Sequence, residues 1–105
     1  MLRIHSDAVA LIRELREVVA IIERKDRNLG DQLRRSLSSV GANIGEGAYA
    51  QGRKRHSHYF IAMASASEAR THLEIAEAWG YCGPVSFEVS ERFARIIGSL
   101  HRIVV

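Results

Sequence analysis

The sequence predicts an all-α protein: a single-domain, antiparallel up-down four-helix bundle that assembles as a homo-oligomer. Four observations carry that prediction. Pro84 is the one proline in 105 residues, so long stretches run free of helix breakers. Apolar residues recur at helical spacing in four segments, at about 4–26, 29–47, 56–80 and 86–104. Turns of a few residues join them, which sets sequence neighbours antiparallel. The third segment is apolar or small nearly all round, more than one bundle of this length can cover.

In the first segment Ile4, Ala8, Leu11, Ile12, Leu15, Val18, Val19 and Ile22 share one face at 100° per residue. Arg13, Arg16, Glu17 and Arg24 lie opposite, so the helix is amphipathic. Ser6 and Asp7 are candidate caps for its start. A polar turn at 25–28 follows.

The second segment carries the tightest stripe: Leu33, Leu37, Val40 and Ile44, with Leu29 one turn before. Gly41 and Gly45 lie on one flank. An interior glycine costs a helix roughly 1 kcal/mol relative to alanine. Two of them at this spacing predict that something packs close on that flank. Gly47 is the expected C-terminal stop. Residues 48–55 read as a small, basic loop.

Few charges interrupt the third segment, and its middle, 62–69, is nearly all small residues. It is expected to be buried on two sides, with the second and third helices forming the interface between copies. Gly83-Pro84 breaks the chain before the fourth segment. There Val89, Phe93, Ile96, Ile97, Leu100, Ile103 and Val104 form the apolar arc, opposite Glu88, Glu91, Arg92, Arg95 and Arg102.

Charge points to a partner class. The net charge is +3, and it is uneven. Residues 1–58 hold 11 Lys/Arg against 7 Asp/Glu, and residues 59–105 hold 4 against 5. No acid falls between Glu46 and Glu68, where Arg53, Lys54, Arg55, His56 and His58 lie. Arg34, Arg35, Arg53, Lys54 and Arg55 are therefore the expected nucleic-acid-binding residues, since Lys and Arg hold phosphates by charge and Arg also bidentately. Tyr49 and Tyr59 flank the second cluster and are candidates to stack on bases.

Other chemistries are expected to be absent. Cys82 is the single cysteine, so no internal disulfide or cysteine metal cluster forms. Glu68 and His72 have chelating spacing, but no pattern supplies further ligands, and neither metal nor cofactor is expected. Glu46 and Glu68 are either an acid–base pair or, with Asn43, structural polar groups that fix helix register; the second reading is preferred. The 41–47 run has no Lys-Ser/Thr after it and is not a phosphate loop. The apolar start is broken by charges, and no run of about 18 apolar residues exists, so a cytoplasmic protein without a membrane span is expected.

The runs Gln32-Leu33-Arg34-Arg35, Ser39-Val40, Asn43-Ile44, Glu46-Gly47, Ala66-Ser67-Glu68 and Gly80-Tyr81 resemble a small bacterial four-helix-bundle family. It comprises proteins encoded in intervening sequences of 23S ribosomal RNA genes and the accessory variability determinant protein of diversity-generating retroelements. That resemblance implies a homopentameric barrel without enzymatic activity. It also implies nucleic acid as a partner, ribosomal RNA included, and a reverse transcriptase for the retroelement members. The family's usual Ile-Ala-Glu-Gly reads Ile-Gly-Glu-Gly here, a change that keeps the position small. A scaffold that binds protein alone is the competing expectation.

Overall fold

A single residue, Asp26, separates the first two helices. The computed structural model describes residues 3–105 and resolves them into α1 (Arg3–Lys25), α2 (Arg27–Tyr49), α3 (Gly52–Ala78) and α4 (Phe87–Val104). No strand occurs among the described residues. α2 packs against α1 and α3, and α4 closes the circuit onto α3 and α1. The end of α1 meets the start of α2 through Glu23 and Arg34, and the start of α1 meets the end of α2 through His5 and Gly45.

The polar turn expected at 25–28 is thus much shorter, and α2 starts at 27 rather than 29. Asp26 does two jobs. Its N–H donates to Ile22 O at 2.8 Å and completes α1, while its carboxylate accepts from Leu29 N at 3.1 Å and caps α2. Gly30 makes the sharp reversal possible. A Cβ there would lie 2.7 Å from the Cα of Glu23.

Gly47 is not the stop of α2, which runs on to Tyr49. It is a seat for an aromatic ring: a Cβ at Gly47 would lie 2.6 Å from Cε1 of Tyr59. Gly41 and Gly45 differ from both. Added Cβ atoms would meet only Ala8 at 3.9 Å and the His5 ring at 3.7 Å. The close packing expected on their flank does not occur within the chain.

α3 begins at Gly52, not near 56, so the basic run 53–55 is helical first turn rather than loop. Gly52 takes φ +58, the left-handed region open to glycine. The inner face of α3 is mostly alanine: Ala62, Ala66, Ala69 and Ala76 are fully buried. Small side chains bring α3 close to its neighbours. Tyr59 and Leu73 join them in the core, whereas Phe60, Ile61 and Ile75 of α3, and Trp79 just after it, stand exposed.

The core otherwise follows the stripes. Leu11, Leu15 and Ile22 of α1, Leu33, Val40 and Ile44 of α2, and Phe93, Ile96 and Leu100 of α4 are almost wholly buried. Ile12 and Ile103, placed on the apolar arcs by periodicity, lie at their edges and remain exposed.

Asp7 is not a cap. It sits inside α1, 4% exposed, and holds α1 to α4. Its carboxylate accepts from Arg92 Nη1 at 2.9 Å, Arg95 Nε at 2.9 Å and Arg95 Nη2 at 3.1 Å. Glu14 takes Arg92 Nε at 2.6 Å. The hydrogen bonds of Arg95 hold the Asp7 carboxyl below the ordinary carboxylate range; burial opposes them, and the charges of both arginines add to them.

Candidate nucleic-acid interface

The five predicted basic residues do not form one surface. Arg34 and Arg35 lie in the first half of α2, and Arg53, Lys54 and Arg55 beyond its far end. From Arg35 to Tyr49 the helix rises about 21 Å. Arg34 is already engaged, since its Nε and Nη2 both bond the Glu23 carboxylate across the α1–α2 turn. Arg35 is exposed and has no ion pair among the described residues.

Arg55 has a structural task. Its guanidinium donates to Gly47 O at 3.2 Å and Ala48 O at 3.5 Å, satisfying carbonyls at the end of α2. Arg53 and Lys54 remain. Both are exposed, neither has an ion pair among the described residues, and both sit in the first turn of α3. That turn carries no acid. Cations at the positive end of a helix dipole work against folding, whereas an anion there is favoured.

The fold brings more basic side chains to the same end. The ring of His56 meets Val104 O at 3.0 Å, which ties the start of α3 to the end of α4. His101 and Arg102 lie in that last turn of α4. The start of α1 contributes Arg3 and His5, beside the end of α2. Glu46 is the acid found at this end besides Asp7, whose charge Arg92 and Arg95 take up. Arg3, His5, His101 and Arg102 carry no motif, and only the gathering of helix ends marks them.

A polar chain joins α2 to α3 beneath this end. Ser65 and Ser39 hydroxyls meet at 2.8 Å, and Asn43 Nδ2 donates to Ser39 O at 2.9 Å. That leaves Asn43 Oδ1 facing His58 Nδ1 at 2.9 Å, which places the ring proton on Nδ1 by assignment from the network. His58 Nε2 lies 3.7 Å from Glu46. Asn43 and Glu46 therefore touch α3 across the helix boundary. Glu68 does not cross it: it meets His72 at 3.2 Å on the same helix. His58, which contacts Glu46, is about 15 Å along α3 from Glu68 by helical rise, too far for a carboxylate pair.

Tyr49 is 94% exposed, whereas Tyr59 is buried against Gly47. Only the first is open to a base. At the opposite end, burial and nearby Glu77 push the Cys82 thiol up, away from a reactive thiolate. The described residues hold no group of three His, Cys, Asp or Glu placed to share a metal ion. Among them, no helix is long and apolar enough to cross a membrane.

The chain is similar to the crystal structure of a protein of unknown function from the S23 ribosomal protein family of Bacteroides thetaiotaomicron. The two superpose with a TM-score of 0.79 at 21% identity, over 96% of this chain and 97% of that one. At that identity the likeness speaks to the fold. A comparison with curated proteins gives no match. A match to the 23S rRNA-intervening sequence proteins spans residues 1–101, nearly the whole chain, and the protein belongs to that family.

Proposed function

We propose that the protein is a non-enzymatic nucleic-acid-binding bundle that acts as a homopentamer, with antiparallel helices and RNA preferred over DNA. The basic helix end supports this reading most directly. Arg53 and Lys54 stand unpaired in the first turn of α3, where they cost fold stability and favour a bound anion. His5 shares a groove lining with Lys54, and His101 and Arg102 lie in the last turn of α4, which His56 ties to the start of α3. Ribosomal RNA is one candidate partner. Kinship with retroelement accessory proteins, and a reverse transcriptase as second partner, rest on the motif runs in 32–47 and 66–81 alone.

Self-assembly accounts for the outer face of α3. Phe60 and Ile61 near the start of α3, and Ile75 and Trp79 at and just past its end, are large and exposed, and exposed apolar side chains of this size are candidates for an interface. A ring would repeat the basic end five times and turn a weak patch into an avid one. The cytoplasm is the proposed site of action, without metal or cofactor. The same α3 face favours a second reading, a scaffold that binds protein and no nucleic acid.

Fluorescence anisotropy of a labelled RNA separates the two. The proposal expects binding at 50 mM salt that the Arg53→Ala/Lys54→Ala variant loses at least in part and Arg34→Ala retains. Absence of binding at that salt sinks it in favour of the scaffold. Light scattering tests the ring, and a monomer at micromolar concentration removes it.

A further inference from the structure

Beside the basic end lies an open groove of about 760 Å³, lined by residues that include His5, Gly41, Gly45, Tyr49, Lys54 and His58. We infer that it receives an unpaired nucleotide of a single-stranded RNA segment, with the base stacked on Tyr49 and the phosphate held by Lys54 and His5. The inference rests on the nucleic-acid reading above and goes further, to a ligand class and a place.

Four features of the groove converge. It is broad and open, so a base can lie across it with one face in water. Its floor is the bare main chain of α2. Gly41 and Gly45 keep that floor low although glycine weakens a helix interior, with Ala8 and the His5 ring of α1 bordering them at ordinary contact distance and nothing pressed closer. The rim is basic: Lys54 and His58 face it from α3 and His5 from α1, against Glu46 from α2. Arg53 adjoins Lys54 in the same turn, and Arg3 precedes His5 by two residues. Lastly, Tyr49 bounds the groove with its ring almost wholly in water, unlike buried Tyr59. An exposed aromatic beside a lysine and hydrogen-bonding histidines is an arrangement that can hold an unpaired base, because every base offers a π-face.

This placement gives each glycine pair a different role. Gly30 and Gly47 have a neighbour pressed against them and serve the fold. Gly41 and Gly45 have no neighbour closer than ordinary contact, line the groove and serve a ligand. Glu46 is the one carboxylate in the lining, and it opposes a phosphate while contacting His58.

The test uses two labelled strands, a short single-stranded RNA and the same backbone carrying abasic residues, titrated by anisotropy at low salt. Wild type should bind the base-bearing strand about tenfold more tightly, the order expected of stacking on one aromatic. Tyr49→Ala should erase that preference and Tyr49→Phe retain it. Gly45→Leu, which fills the groove, should weaken the base-bearing strand to the level of the abasic one. Glu46→Gln should strengthen both by about twofold through lost repulsion. Circular dichroism confirms that each variant keeps its helices. Binding of both strands with the preference unchanged in Tyr49→Ala and Gly45→Leu overturns the groove and leaves the basic end standing. Failure of wild type to bind either strand overturns both.

Discussion

Replacing Asp7 with alanine should be among the most damaging polar substitutions in this bundle. The carboxylate is 4% exposed and accepts three charge-assisted hydrogen bonds from two arginines of α4. Alanine leaves Arg92 with Glu14 and strips Arg95 of its carboxylate partner. Removing one member of a fully buried ion pair costs about 3–5 kcal/mol. The arginine side chains here are about a third exposed (28% and 36%), so water recovers part of that loss. We expect Asp7→Ala to lose about 2–3 kcal/mol, which for a domain this size lowers Tm by about 10 °C or more. The assay is urea unfolding followed by circular dichroism, at one fixed protein concentration because the proposed assembly would add to apparent stability. A double-mutant cycle with Arg95→Ala should show strong coupling, because the second change removes a group the first has already orphaned. A loss under about 0.5 kcal/mol would place the contact among ordinary surface bridges and refute its role in holding α1 to α4.

The same carboxyl sets a pH dependence. Its folded-state pKa is depressed, so its contribution is complete above the unfolded value and disappears as pH falls through the folded one. Wild-type stability should therefore fall below about pH 4 more steeply than that of Asp7→Ala, and parallel acid curves would contradict this. Gly47→Ala drives a methyl into the Tyr59 ring and should cost about 1–3 kcal/mol by chemical unfolding. Gly41→Ala meets only Ala8 and should raise helix stability by up to about 1 kcal/mol. A destabilised Gly41→Ala would mean that a neighbouring copy, not open groove, lies on that flank.

The sequence showed the helices well and their ends poorly. Leu33, Leu37, Val40 and Ile44 were legible as core because their spacing is local information and the structure buries all four. The ends were misread where one residue does more than its type announces. Asp26 closes one helix and caps the next, and Gly47 seats a ring twelve positions later in the chain. Gly52 starts a helix through its positive φ where its composition suggested a loop. Asp7 looked like a cap because its partners, Arg92 and Arg95, are more than 80 positions away.

The candidate interface divides in the same way. Arg53 and Lys54 were visible as charge without a local acid. Arg34 looked equivalent, yet Glu23 reaches it across a turn that periodicity placed differently. Arg3, His5, His101 and Arg102 carry no signal of their own. They come near the basic run through two contacts: His56 ties the start of α3 to the end of α4, and His5 sets the start of α1 beside Gly45 near the end of α2. Glu68 had spacing and polarity like Glu46, but it lies farther along α3 and pairs within its own helix.

The salt dependence of RNA binding tests the central claim most directly. Two to four phosphate contacts at the basic helix end predict that log K falls with log salt at a slope of roughly −1.5 to −3 per subunit, using about −0.7 per contact for single strands. The Arg53→Ala/Lys54→Ala variant should flatten that slope by about 1.4. An affinity that does not change between about 50 and 200 mM salt, or a slope the variant leaves intact, would contradict the assignment of that end to nucleic acid.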